Sequence, residues 1–458
     1  MKSFSKAGFL AWFCFSITAF VSFAQPPANS TDKNQAGVAE RKILSDSALL
    51  DLIQKQTFEY FWDFAHPVSG LARERSNDAY GYGHEVVTTG GSGFGIMAII
   101  VATERHWITR DTAVKHLLKT VNFLLKANSY HGIFPHWLNG TTGTTIPFSR
   151  KDDGADLVET SYLFEGLLCA RQYFNQDESL ERNLRNRINQ LWKGAEWSWH
   201  QRDGGNSLYW HWSPNNGWSM NFEIRGWNEC LITYVLAASS PTYPITKNVY
   251  DKCWAESNHF INGRSYYGIV LPLGFPYGGP LFFAHYSFMG LDPHGLKDEY
   301  ANYWEQNTNH TLINYKHCVI NPNHFKGYGE NCWGLTASDT YDGYNAHSPT
   351  NDFGTITPSA ALSSFPYTPE YSMKALKHFY YDLGDRIWGK YGFTDAFNET
   401  KNWYAQNYLA IDEGPIVDMI EDYRSGLLWK LFMSCPEVQS GLQRLGLQSP
   451  YFKNTGNE

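Results

Sequence analysis

The sequence predicts an all-α protein, an (α/α)6 toroid in which six outer and six inner helices form a double barrel. Three observations carry that prediction. Segments with helical periodicity alternate along the chain between amphipathic and almost wholly apolar. No linker, sequence repeat or low-complexity tract divides the residues after position 41. A single domain of that length exceeds the usual size, and a closed ring of helices is one of the few ways to build one.

The chain opens with Lys2 and Lys6 ahead of an apolar run from Phe9 to Phe23 and a small-x-small site at Ser22 and Ala24. That pattern reads as a cleavable signal peptide over 1–24. Residues 25–41 are rich in Pro, Ala, Asn, Ser and Gln and read as a flexible leader. One catalytic domain is expected over 42–458, in an exported protein, periplasmic or secreted. No later stretch approaches the roughly 18 apolar residues of a membrane span, so no membrane association is expected after cleavage.

Amphipathic segments, expected to face water, run from Ser45 to Ala65, Thr109 to Ala127, Asp177 to Trp197, Pro244 to Phe260, Leu296 to Cys318 and Thr368 to Trp388. Between them lie Gly93 to Thr103, Ala155 to Tyr173, Arg225 to Ala238, Pro280 to Leu291, Pro358 to Phe365 and Pro415 to Met433. Most of these are shorter or more apolar, with small residues that allow close packing. If outer and inner helices are antiparallel, all inner N-termini meet at one end of the ring. The loops before them then line one shared cavity.

The formal net charge of −8 is unfriendly to nucleic acid and to anionic polysaccharide. The six cysteines beyond the signal, Cys169, Cys230, Cys253, Cys318, Cys332 and Cys435, have no metal-knuckle spacing and are expected as buried free thiols. Aromatic residues make up 16% of the chain against 18% charged, which suits a large core and also a cleft that stacks the flat faces of sugars.

Acids gather before the inner helices. Asp152, Asp156 and Glu159 follow an i, i+4, i+7 spacing and would share one helical face. Glu223 stands between aromatics before the third inner helix, and Asp412 precedes Pro415, a residue suited to a first helical position. Acids in a first helical turn also serve as caps. Several such entries into one cavity, however, supply the paired carboxyls that glycosidic hydrolysis needs, one donating a proton and one handling water. Glu223, flanked by Phe222 and Trp227, is the expected acid, and Asp412 is the expected base. Asp152, Asp156 and Glu159 are further candidates for the base or for gripping hydroxyls.

Trp212, Trp218, Arg225, His285, Trp333, Tyr341, His347 and Trp403 are the candidate substrate-binding residues, with His285 better suited to a hydrogen-bonded place in the core, and the long segment from Asn321 to Thr357 reads as a binding loop. No His-Glu-x-x-His, phosphate loop or nucleophile elbow is present, so neither metal nor cofactor is expected.

Several runs resemble the bacterial glycoamylase-like proteins of glycoside hydrolase family 144. They are Gly90 to Met97, Phe222 to Glu229, Pro280 to Phe288, Trp333 to Asp339 and Ile411 to Val417. The resemblance spans Ala48 to Gly446. It implies an (α/α)6 fold and inverting hydrolysis of β-1,2-glucan, endo-acting or exo-acting with release of sophorose. By position, Glu223 resembles the family's acid, Asp412 the acidic residue opposite it, and Asp152, Asp156 and Glu159 a cluster implicated in activity. The family pattern Asp-Gln-Gly-Pro is Asp412-Glu413-Gly414-Pro415 here, which adds a negative charge beside Asp412. A monomer acting on β-glucan is expected. The rival readings are a polysaccharide lyase, which favours a Tyr/His pair and basic residues, and a non-catalytic glycan-binding protein, which would tolerate loss of the acids.

Overall fold

In the computed structural model, residues 41–79 and 81–452 are described, so the expected signal peptide and nearly all of the leader lie outside the described residues. From Leu44 onward the chain clusters as one unit. Its helices are α1 Asp46–Trp62, α2 Thr89–Glu104, α3 Arg110–Leu124, α4 Leu157–Tyr173, α5 Ser179–Gly194, α6 Leu231–Ser239 and α7 Lys247–Val249, which continues as a wider turn through Ala255. There follow α8 Tyr303–Ile320, α9 Pro358–Leu362, α10 Pro369–Lys377, α11 Gly384–Ile387, α12 Ala410–Ser425, α13 Leu427–Met433 and α14 Pro436–Leu445.

Their ends carry the expected chemistry. Ser45, Thr109, Asp156 and Asn302 cap α1, α3, α4 and α8, each side chain accepting from a free N–H of the first turn. Left-handed Gly426 closes α12.

The burial pattern follows the alternation read from the sequence. Every residue of α6 is buried, as is every residue of α2 through Thr103 and of α4 through Arg171. In α5 the buried apolar residues are Leu184, Ile188 and Trp192, a single stripe at steps of four. Glycines let the central helices approach. A Cβ on Gly93 would stand 2.0 Å from the carbonyl oxygen of Tyr162, and one on Gly414 would stand 2.4 Å from Phe94 Cβ. Accordingly α2 packs on both α4 and α12, α4 on α6, and α12 on α9.

Three expectations need correction. The fold is helix-rich rather than all-α, since six small antiparallel sheets occur among the described residues. The segment Pro280 to Leu291 forms the short 3-10 turns Leu281–Ala284 and Tyr286–Phe288. Its Leu281 N–H is served from outside by Leu335 O, and its Ser287 hydroxyl accepts from Ile232 N, so a continuous internal ladder is not formed. Finally, α6 begins at Leu231 rather than Arg225, and α12 begins at Ala410, which places Pro415 inside the helix.

The stretch Asn321 to Thr357 is ordered around a hairpin, Ala337–Thr340 with Gly343–Ala346. The six cysteines among the described residues are buried and free. Among the described residues no helix is long and apolar enough to cross a membrane.

Candidate active site

The starts of the central helices lie together. A Cβ on Gly91, in the first turn of α2, would fall 2.7 Å from Ala410 Cβ at the start of α12. One on Gly90 would fall 2.4 Å from Glu159 Oε2 in the first turn of α4, and the Gly90 N–H donates to that oxygen at 2.8 Å. Ser359, in the first turn of α9, donates to Asp412 Oδ1 at 3.1 Å. Four helix N-termini therefore meet, each carrying partial positive charge.

Asp156, Glu159 and Asp152 form the first acidic group. Asp156 Oδ1 accepts from Val158 N, Glu159 N and Trp210 Nε1 at 3.1, 3.0 and 2.9 Å. Its Oδ2 lies 3.1 Å from His136 Nδ1, and His136 Nε2 lies 3.9 Å from Glu159 Oε1. His211 reaches the group because its strand pairs with that of Asp156, Asp156 opposite His211, and its Nε2 lies 3.5 Å from Asp152 Oδ2.

Burial opposes a charge on His136, yet Glu159, the bond to Asp156 and the charges of Asp156 and Asp152 outweigh it and hold the imidazole up at about 10. Burial, with the charge of Asp156, pushes Asp152 up to about 7. Burial also lifts Glu159 to about 7, against the pull of His136. Asp156 is held below its ordinary value because, despite burial, His136 and His211 stabilise its anion. His211 is pushed down to about 4, chiefly by burial. One group thus holds carboxyls of opposite tendency, the separation that acid–base chemistry uses. His136, Asp152 and Asp156 also bring ligand atoms within 4.8 Å of one another, the one such trio among the described residues. The His136 imidazolium is the cation these carboxyls face.

A second acidic group surrounds Asp412. Burial raises it to about 7, opposed by the neighbouring Asp395 carboxyl and the Ser359 hydroxyl and reinforced by Asp339 and Glu74. Asp395 is raised well above its ordinary value by burial and by Asp412. Asp339 pairs with Arg75 at 3.0 Å and accepts from Asn407 Nδ2 at 2.8 Å. Glu74 adds its charge to both Glu159 and Asp412, and the Tyr286 hydroxyl feels Asp412, Glu159 and Glu229, so the two groups adjoin one interior space.

Glu223 stands differently from its expectation. It lies in an extended segment bridged to Tyr209, eight residues before α6, with 27% of its side chain exposed. It accepts from Ser207 Oγ at 2.8 Å and from Arg225 at 2.9 Å, with Tyr209 OH at 3.4 Å. Trp227, expected to enclose it, is fully buried and stacks on Tyr303 instead. Glu223 joins the first group through its strand neighbours, since Trp210, beside Tyr209, donates to Asp156. Among the described residues no direct contact links Glu223 to Asp412.

Of the expected binding residues, Trp212 and Trp218 are half-buried and share the ring of Trp199 at 5.3 and 4.8 Å. Arg225 is engaged with Glu223. Tyr341 is exposed beneath Lys401, and Trp403 is half-buried in a short strand. The remaining three are buried as deeply as Asp156 and Asp412. Trp333 is fully buried, because Thr357 N–H donates to Gly334 O and folds its segment under α9. His285 is buried against Ser364 and pushed down to about 3 by burial. His347 is likewise buried and pushed down to about 4.

His136, Glu74, Arg75 and Asp395 also belong to these groups and are not expected from the sequence. His136 is a lone histidine between Pro135 and Trp137, and Asp395 lies outside any helix, so neither carries a periodic signal. Only pairing with an acid already singled out would have raised them.

The Glycoamylase family model, described as "Putative glucoamylase", matches residues 221–436. The chain is 46% identical over 438 residues to an exo β-1,2-glucooligosaccharide sophorohydrolase (non-reducing end) of Parabacteroides distasonis, an alignment covering 91% of this chain and 60% of that relative's length. The solved structure of a protein from Bacteroides uniformis, given the same description as the family model, is 62% identical with a TM-score of 0.88, covering 90% of this chain and all of that one. An endo-β-1,2-glucanase of Chitinophaga pinensis, solved with sophorotriose and glucose, is 56% identical with a TM-score of 0.87 over the same shares.

Proposed function

We propose, because this chain belongs to the glycoamylase-like family of glycoside hydrolase family 144, that it is an exported glycoside hydrolase that cleaves β-1,2-glucosidic linkages with inversion. The observation that carries the reading is the meeting of Asp156, Glu159 and Asp412 at the starts of the central helices, with Asp152 in the loop before α4 and Glu223 on an extended segment bridged to Tyr209. Relatives named as acting on β-1,2-glucan and its oligosaccharides support the substrate class.

Residues 42–458 form one catalytic domain built as an (α/α)6 toroid. The succession of contacts supports a closed ring. Each of α6, α4, α2, α12 and α9 packs on the next. The bond of His285 to Ser364 and that of Ile232 to Ser287 lead back through the 3-10 turns to α6.

In the proposed reaction Glu223 donates a proton to the leaving oxygen and Asp412 acts on the water side, while Trp212, Trp218 and Tyr341 supply ring faces for sugar. A second reading exchanges the two roles. It is favoured by Asp412, whose carboxyl is raised to about 7 and can hold a proton near neutral pH, and by the pairing of Glu223 with Arg225.

The test is incubation with linear β-1,2-glucan, following product sizes and the first-formed anomer by NMR. An initial α-anomer supports inversion, which requires carboxyls about 6.5–9.5 Å apart. A β-anomer would sink the inverting mechanism, and an intact polymer would sink the function.

A further inference from the structure

We infer that Asp395 is a positioning residue for Asp412, its protonated carboxyl donating a hydrogen bond to the Asp412 oxygen that Ser359 does not serve. Asp395 and Asp412 are each 3% exposed and lie within hydrogen-bonding reach of one another. Asp412 Oδ1 accepts from Ser359 Oγ at 3.1 Å, and Asp395 Oδ2 accepts from the Asp339 N–H at 2.7 Å. The remaining oxygens, Asp412 Oδ2 and Asp395 Oδ1, are buried without a donor. Two ionised carboxylates in that position would repel and leave two acceptors unanswered, whereas one proton between them answers both.

The surroundings decide which carboxyl keeps the proton. Asp412 sits in the first turn of α12, where the helix N-terminus favours an anion, and it has the Ser359 hydroxyl. Asp395 has no helix end. The charge of Asp339 bears on it directly, although Arg75 pairs with Asp339. Glu74 adds negative charge around Asp412, burial and Asp412 hold the neighbouring Glu413 carboxyl well above its ordinary value, the Tyr286 hydroxyl faces Asp412, and the Tyr344 hydroxyl faces both carboxyls. The backbone holds Asp395 in place, its N–H donating to Asn407 O at 3.0 Å and the Ala405 N–H donating to Ala396 O at 2.9 Å. Asp395 therefore aims Asp412 and keeps it anionic without touching sugar, a role that rests on the proposed part of Asp412 in hydrolysis.

The test compares the pH profiles of kcat/KM on a β-1,2-glucooligosaccharide for the wild type, D395N and D395L, alongside an NMR titration of 13C-labelled aspartate carboxyls in the full chain. In D395N the amide is a donor that cannot titrate, so the acid limb stays in place and the alkaline limb contributed by Asp395 disappears. D395L removes the donor, so Asp412 becomes harder to ionise. Its acid limb moves up by roughly one to two pH units, the worth of a hydrogen bond to an ionised group. KM stays put in both.

Superimposable profiles, or a uniform fall with no displacement along the pH axis, would overturn the inference and leave Asp395 a merely structural group. If the wild type does not cleave the oligosaccharide, the functional reading fails, and the titration alone judges the shared proton. A carboxyl of the pair still protonated at pH 7 in the wild type and missing from D395N supports the inference; both ionised by pH 6 sinks it. The wild-type titration decides the matter even where a variant does not fold.

Discussion

His136 and Asp156 lie 3.1 Å apart, and the same Asp156 carboxylate caps α4 through its other oxygen. One side chain thus fixes a helix end, an imidazolium and, through Trp210, the strand that leads to Glu223. The arrangement ties the acidity of the first group to the position of the helix that carries Glu159. A capping role and a catalytic role for Asp156 are therefore compatible, because its two oxygens serve different partners.

Removing His136 should expose the cost of gathering Asp152, Asp156 and Glu159. H136A is expected to lose about 3–5 kcal/mol, the usual result of leaving a buried charge without its partner. The sign with pH follows from the imidazole. Its value is raised from 6.5 to about 10 in the fold, so its stabilisation is complete below about pH 6.5 and is lost as pH rises through 10. Urea melts at pH 6, 8 and 10 should show the gap between wild type and H136A narrowing upward. A constant gap would mean that His136 is not charged in the fold.

Glu223→Gln should preserve the melting temperature and lower turnover by roughly 10²- to 10⁴-fold, the usual worth of a proton donor. Asp412→Asn should lose activity on a comparable scale. A substrate with an activated leaving group separates the roles, because a missing acid matters little when the leaving oxygen needs no proton. Recovery in E223Q supports the proposed assignment, and recovery in D412N supports the exchanged one.

The legible parts were those with a pattern. The helical stripe of Leu184, Ile188 and Trp192 and the apolar run of α2 announce themselves by periodicity, whereas Asp152, Asp156 and Glu159 cluster without sharing a helical face, since only Glu159 lies in α4, Asp156 is its extended N-cap and Asp152 stands in the loop before it. Glu223 was harder, because its setting comes from pairing with Tyr209 fourteen residues upstream, which no local window contains. Asp395 and Glu74 were invisible for the same reason, each gaining meaning only from Asp412 in a distant helix. A tryptophan among glycines and asparagines, such as Trp333, looks like loop chemistry, while Gly334 in fact turns the chain into the core.

Close approach of α2 and α4 depends on a hydrogen atom at Gly93. G93A would set a Cβ 2.0 Å from the Tyr162 carbonyl oxygen, a backbone atom that can move only by separating two helices. A loss of about 3 kcal/mol or more is expected in chemical denaturation. Gly194, at the end of α5, has nothing within 4 Å of its added Cβ and no positive φ, so G194A should be neutral or stabilising by up to about 1 kcal/mol. Equal effects at both positions would remove packing as the cause.

Two tryptophans expected to bind sugar should separate cleanly by what they damage. Trp218 is half-buried, its ring beside Trp199 and near Tyr209, whose hydroxyl approaches Glu223. Removing its ring face in W218A should raise KM by roughly two- to tenfold, in keeping with the modest worth of a ring stack, and leave kcat and the melting temperature nearly unchanged. Trp333 is fully enclosed, its ring edge-on to Tyr315 and its indole N–H donating to Tyr371 O at 3.3 Å. W333A opens a cavity and strands that carbonyl, so stability should fall by about 3–5 kcal/mol while KM of the folded fraction stays normal. Steady-state kinetics paired with denaturant melts on the two variants distinguishes a platform from a core ring. A large KM change in W333A at full stability would reverse the assignment, because it would require the indole to reach a cleft from which packing now separates it.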